Sequence, residues 1–333
     1  MSDGRLRRRL VSVPGVFTAA LLLTVLLPVW VAIAIVVDLV RLRWRFPVAR
    51  LLSFGLAWAW LEVAGVTIAV GLWLGGRAHD LPLNYRLQRW WAAQILGALR
   101  LTCGLEVAVE GQEALHPGPV VLFARHASLA DSVVSATVVA VRARLRPRFV
   151  LKRELLADPC LDIVGNRIPN HFVDRGATDS APELAALTRL SEGMGPDEVA
   201  VIFPEGTRAN PAKRTSSLAR LAERDPVRAQ RLAGLRHLLP PRPSGAQAMA
   251  AGAPGADIVV AWHTGLEGLD SFGGIVRALG RGPIVIRYVL RRVSRHDVGP
   301  DFVAWLDHEW LTMDAEVDAA LAAGGTTKGV RHG

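Results

Sequence analysis

The stretch EVAVIFPEGTR, residues 198–208, runs a short β-rich segment straight into a turn and then into charge. Bounded by Pro204 and Gly206, residues 198–203 read as a strand, and PEGTR reads as the loop at its carboxyl end. Gly206 permits a tight backbone approach there. Arg208 offers a planar fork that suits phosphate oxygens, and Glu205 is placed to hold a hydroxyl or orient a cation. The plainer alternative is a surface ion pair between Glu205 and Arg208 across a turn.

Outward from this loop the same pattern repeats. Strands are predicted over 119–124, 148–152, 171–174, 198–203, 257–262 and 283–293, and helices over 131–144, 154–164, 181–192 and about 300–322. Strands alternating with helices predict an α/β fold with a mostly parallel sheet flanked by helices. Ligands of such sheets gather beyond the carboxyl ends of the strands. One of those ends carries FARHASLADSV, residues 123–133, with His126 and Asp131 five residues apart. On a continuous helix that spacing rotates the two side chains to about 140° apart, so they could not meet. They can meet if His126 lies in the strand-to-helix turn and Asp131 in the first helical turn. A carboxylate on one ring nitrogen would then fix the tautomer and stabilise the imidazolium, leaving the other nitrogen to accept a proton near neutrality. The alternative for Asp131 is a plain carboxylate at a helix N-terminus.

Further candidates lie at other strand ends. GNRIPNHFVDRG, 165–176, ends on Asp174 and Arg175, and FVLKREL, 149–155, supplies Lys152. Each also reads as an ordinary ion pair or a solvated helix start. Residues 209–256 combine a basic helical stretch with PPRPSGAQAMAAGAPG. They read as a surface helix and flexible loop, or as a lid or lipid-contacting element.

The 333 residues are 51% hydrophobic, and the mean hydropathy is +0.28. The excess is localised. Residues 16–40 and 51–74 carry one charge each, Asp38 and Glu62, and each exceeds the roughly 20 apolar residues that cross a hydrocarbon core. Seven of the ten tryptophans fall in or beside these runs, as interfacial anchors do. The expected organisation is an N-terminal membrane-anchoring helical hairpin with basic flanks over 1–90, then an α/β domain over 91–333 with 209–256 inserted. A cleaved signal peptide is disfavoured because the first apolar core is longer than an h-region. Arginines on both sides of the first run leave the positive-inside comparison tied. Glu62 is expected to face another helix or an interface. The net charge of +9 fits a membrane surface, and no nucleic-acid-binding signature is present. Cys103 and Cys160 lack metal or redox spacing and read as inert core residues.

Taken in order, His-x4-Asp at 126–131, the strand ending in VDR and FPEGTR at 203–208 resemble the glycerolipid and lysophospholipid acyltransferase family, over roughly residues 118–264. HLLPPRPSGAQAMAA, 237–251, resembles a Leu-Pro-Arg segment of a branch acting on lysophosphatidate and other lysophospholipids. The resemblance implies transfer of a fatty acyl group from acyl-CoA or acyl carrier protein to the free hydroxyl of a lysophospholipid. The simplest acceptor is 1-acyl-glycerol 3-phosphate, giving phosphatidic acid. It implies His126 as base, Asp131 as its partner, and backbone N–H groups near Gly206 as oxyanion donors. Arg208 would bind the phosphate, with Glu205, Gly206 and Thr207 in the same loop and Lys152 and Arg175 as further phosphate or coenzyme A contacts. No metal or cofactor beyond the co-substrate is implied. The partners are membrane lipids and the acyl donor, with the catalytic domain on the cytoplasmic side of the cell membrane. Another lysolipid or glycolipid acceptor, or a non-catalytic lipid-binding protein on this fold, are the alternatives. A serine hydrolase is not favoured, since no G-x-S-x-G elbow occurs. The chain departs from the family where Arg125 replaces a common Asn, at Ala130, and where His263 and Thr264 follow the fourth strand.

Overall fold

A computed structural model describes residues 2–128, 130–173, 180–269 and 271–329. Four helices come first: α1 (Ser2–Val25), α2 (Leu27–Val40), α3 (Pro47–Leu74) and α4 (Leu81–Cys103). Strands β1 (Leu105–Glu110) and β2 (Val120–Ala124) follow, then α5 (Asp131–Ala136), β3 (Arg146–Lys152), α6 (Pro159–Val164) and β4 (His171–Val173). The remainder is α7 (Ala181–Ser191), β5 (Glu198–Ile202), α8 (Pro211–Arg224), α9 (Pro226–Arg231), α10 (Pro243–Gly252), β6 (Asp257–Thr264), α11 (Phe272–Arg281), β7 (Ile284–Val293) and α12 (Phe302–Gly329). Two compact units result. One comprises Met1–Glu106, Ser132–Arg175 and Ser271–Val285; the other comprises Val107–Asp131, Gly176–Asp270 and Ile286–Gly333.

In the first unit α3 packs against α1, α2, α4, α6 and α11. The apolar run 16–40 is not one helix, as the sequence suggested. Pro28 in the first turn of α2 has no N–H for the carbonyl four residues back, so the helix breaks at Leu26. The Trp30 indole donates to the Leu23 carbonyl at 2.7 Å across the break. The two charges of the apolar runs are both buried and both used. Asp38 accepts the N–H groups of Val48 and Ala49 and so caps α3. Glu62 faces α4 and α6, accepting from the Trp91 indole at 2.9 Å and from Cys160 N–H at 3.0 Å. Buried Asp162 gathers the guanidinium groups of Arg8 and Arg9, so those arginines are more than a solvated basic flank. Strand β3 pairs in parallel with β4, Val150 opposite His171. Cys103 and Cys160 are free and buried, and burial pushes both thiols up, away from the reactive thiolate.

Gly4–Val25 and Pro47–Leu74 are long and apolar enough to cross a membrane. Each leaves an apolar face exposed, α3 being partly covered by the helices packed on it. Beyond Leu74, the exposed large apolar side chains among the described residues are Leu81, Leu101, Leu155, Val227, Phe272 and Val285, whereas α1, α2 and α3 carry many. Such a surface is expensive in water. The helix α4 runs unbroken through residue 90. Asp80 caps its start, accepting from Leu83 N–H, and Gly104 at φ +61° closes its end.

The strands of the second unit lie in the order β1-β7-β6-β2-β5. β2 is parallel to both β5 and β6, whereas β7 returns antiparallel to β6. Val120 to Phe123, Val199 to Val201, and Ile258 and Val259 are completely buried, as strands covered on both faces are. Phe123 meets Phe302 edge-on and Trp305 of α12. Helix α10 packs on α7, where Ser191 Oγ donates to the Met249 carbonyl at 2.7 Å. Residues 209–256 are therefore not a flexible loop. Ala246, Met249 and Ala250 are core, and Arg228 and Arg231 are both tied to buried Asp307 of α12. Asp314 accepts the N–H groups of Arg236, His237 and Leu238. Only α8 in this segment has no buried residue.

Predicted helices 131–144 and 154–164 each divide. The first becomes α5 and a π-helical stretch over Thr137–Arg142, and the second a 3₁₀ turn over Arg153–Ala157 and α6, which starts at Pro159 behind its N-cap Asp158.

Candidate functional site

Strand β2 ends at Ala124, and the chain leaves the sheet as a loop before Asp131 opens α5. The turn brings the pair together: His126 Nδ1 lies 2.8 Å from Asp131 Oδ2. That same oxygen accepts the N–H groups of Ala127 at 2.6 Å and Ser128 at 2.8 Å, so the carboxylate shapes the loop that carries its histidine. Asp131 is wholly buried and His126 is 8% exposed, so the imidazole reaches the surface while its partner does not. Burial pushes Asp131 up, but the bonds from His126 and Ser128 and the adjacent imidazoles outweigh it and hold the carboxyl below its ordinary range. His263 is itself kept neutral by burial, so at neutral pH the hydrogen bonds are what sustain the anion.

The loop after β5 locks onto this loop. Glu205 is buried, and its two oxygens take the N–H groups of His126 at 2.7 Å and Leu239 at 2.9 Å. Ala209 N–H donates to the His126 carbonyl at 2.7 Å, and Arg242 N–H to the Pro204 carbonyl at 2.8 Å. Glu205 thus braces three backbone segments instead of presenting its carboxylate at a surface ion pair. Burial pushes it up to about 8, with the two backbone donors pulling the other way.

Gly206 sits at φ +68°, and a Cβ there would come within 3.2 Å of the Arg242 side chain. Its own N–H is spent on the Phe203 carbonyl at 2.9 Å, which removes it from the expected oxyanion donors. The Thr207 hydroxyl lies 3.2 Å from Lys213 Nζ, which also approaches the Arg208 carbonyl. Arg208 is half-buried, and its enclosed Nη1 has no hydrogen-bond partner. The part of this guanidinium that stays open is suited to an anionic oxygen.

Lys152 closes β3 in the first unit, and Arg175 lies outside the described residues. Ser128 Oγ accepts from Ala130 N–H at 3.1 Å, a local turn bond. Arg125 is buried, and its Nη1 binds the His263 carbonyl and, at 3.0 Å, Glu267. The brace by Glu205 and the approach of His263 to Asp131 join residues far apart in sequence. Local pattern gives no sign of them; the odd polar His263 ending an apolar strand was the one visible signal.

Comparison with known proteins places residues 106–262 on the family model described as Acyltransferase. The chain is 31% identical over 174 residues to lyso-ornithine lipid O-acyltransferase of Pseudomonas aeruginosa, covering 51% of this chain and 58% of that protein. The chain thus spans little more than half the length of that curated relative. Among solved structures, the 1-acyl-sn-glycerophosphate (LPA) acyltransferase PlsC from Thermotoga maritima aligns with a TM-score of 0.46 and 16% identity, over 79% of this chain and 95% of that one.

Proposed function

We propose, from the match of residues 106–262 to the family model described as Acyltransferase, that the chain transfers a fatty acyl group from a thioester to the free hydroxyl of a lysolipid. The observation that carries this reading is the buried His126–Asp131 pair, 2.8 Å apart on a loop braced by Glu205. With Nδ1–H donated to Asp131, His126 Nε2 is the basic nitrogen. It takes the hydroxyl proton as the oxygen attacks the thioester carbon. The tetrahedral intermediate collapses, the carbon–sulfur bond breaks, and the departing thiolate recovers the proton from the imidazolium. Asp131 stays ionised throughout and stabilises that imidazolium.

The half-buried guanidinium of Arg208 supports an acceptor with an anionic oxygen, and 1-acyl-glycerol 3-phosphate is the simplest. The name of the curated relative favours a second acceptor, lyso-ornithine lipid. Acyl-CoA is the proposed donor, with acyl carrier protein as the alternative. The apolar faces that α1 and α3 leave exposed support attachment to a membrane, where acceptor and product reside, and we assign the catalytic unit to the cytoplasmic side, where coenzyme A thioesters are made. Localising the site at the lipid surface shortens the search for the acceptor. The test is a panel of lysophosphatidate, other lysophospholipids and lyso-ornithine lipid, each offered with labelled acyl-CoA or acyl carrier protein to the purified chain. Transfer to one class identifies the acceptor. Loss of label from the thioester with no lipid product in any lane would refute the proposal.

A further inference from the structure

Asp131 has a second imidazole beside it. His263, near the carboxyl end of β6, sets Nε2 3.3 Å from Asp131 Oδ1, the oxygen that His126 does not use. Neither that oxygen nor either ring nitrogen of His263 has a hydrogen-bond partner, and all three are enclosed. A neutral imidazole carries one N–H, and an enclosed donor or acceptor left unmade is costly. Two such orphans stand a small ring rotation from satisfying each other. The ring is well held for this. Its carbonyl takes Arg125 Nη1, Arg125 is fixed by Glu267, and the ring stacks on Tyr288 at 6.1 Å and 15°, opposite it in the β6–β7 ladder. At 1% exposure His263 is sealed from an acceptor, so it acts through Asp131.

We propose that His263 is a positioning residue for the transfer reaction, its Nε2–H donating to Asp131 Oδ1 so that Oδ2 stays ionised and fixed on His126. The inference rests on the acyl transfer proposed above. The groups facing His263 are Asp131 at the start of α5, Arg125 after β2, Glu267 in the loop after β6 and Tyr288 on β7. Burial keeps His263 neutral, so it supplies a donor without adding a charge. Without that donor the Asp131 anion is less stable, and the charge that remains favours the His126 imidazolium. Both effects raise the pH at which the working form, carboxylate plus neutral imidazole, is reached.

The test compares wild type with His263→Leu, His263→Gln and His263→Asn, using labelled thioester and the best lysolipid. In His263→Leu, kcat is expected to fall about tenfold or more, the loss of one hydrogen bond to a charged group. Acceptor KM should stay within about twofold, and the acid limb of the profile should move to higher pH. Gln, whose amide N–H can stand where Nε2 stands, should recover kcat to within about threefold, and the shorter Asn should not. Wild-type kcat with an unmoved acid limb in His263→Leu overturns the proposal. If His263→Leu fails to fold, as judged by tryptophan fluorescence, the Gln and Asn variants decide, and Gln no better than Asn overturns it. A wild type that acylates no lysolipid overturns the transfer reading and this inference with it, an outcome visible before any variant is compared.

Discussion

Replacing Glu205 by Ala removes the acceptors of two backbone N–H groups, His126 at 2.7 Å and Leu239 at 2.9 Å, both on buried residues. Each buried donor left unmade costs about 1–3 kcal/mol, so the substitution should cost about 2–6 kcal/mol. That is a large part of the roughly 5–15 kcal/mol by which a domain is stable. A surface ion pair with Arg208, the other reading of this loop, would be worth only about 0–1 kcal/mol. The two accounts therefore differ enough to separate. Glu205→Gln keeps one acceptor and matches the uncharged acid, so it should lose less than Glu205→Ala. The protonation sign gives an independent check. Held at about 8 in the folded chain against an ordinary 4.5, Glu205 takes up a proton on folding at any pH between those values. Its contribution to stability is therefore full below the ordinary value, and it is lost as pH rises through about 8. Glu205→Gln should flatten that slope. The assay is thermal unfolding in detergent, followed by tryptophan fluorescence from pH 5 to pH 9. Glu205→Ala melting with wild type, or a Gln variant with an unchanged slope, would refute the brace.

Other substitutions probe separate parts of the account. Asp131→Asn leaves an oxygen for the Ala127 and Ser128 N–H groups but no anion for the imidazolium, so kcat should fall by on the order of 10²–10⁴ with little change in unfolding midpoint. Arg208→Ala should raise acceptor KM by about 10–100-fold, the worth of a charge-assisted hydrogen bond, and an unchanged concentration dependence would argue against a phosphate role. Gly206→Ala, at φ +68° and against Arg242, should cost about 1–2 kcal/mol in stability, read from the unfolding midpoint. Arg8→Ala with Arg9→Ala leaves Asp162 buried without its cations and should cost about 3–5 kcal/mol, whereas merely solvated arginines would cost almost nothing.

What could be read from the sequence was what local pattern encodes. The β-rich runs at 119–124, 198–203 and 257–262 became β2, β5 and β6 because fully buried strands are made of such residues. The His-x4-Asp spacing demanded a turn, and the turn is there. Strand β1 and helix α4 were missed, although LEVAVE alternates and Asp80 and Gly104 are ordinary cap residues. Their neighbours, an apolar helical region and a Gly/Pro-rich segment, masked the change of period. The break at Leu26 was overlooked because a continuous apolar run hides a single proline's missing donor. By composition residues 209–256 read as a surface helix and a flexible loop, and their anchors, Asp307 and Asp314, lie in α12 far along the chain. Long-range pairings of this kind, including both oxygens of Glu205, leave no local trace.

The measurement closest to the central claim is single-turnover acyl transfer by His126→Ala, using the best acceptor and thioester of the panel. With the variant folded and binding thioester as wild type does, the rate should fall by about 10²–10⁴, the usual contribution of a general base. A rate within a few-fold of wild type would contradict the assignment of His126 as the base and remove the basis for the roles given to Asp131 and His263.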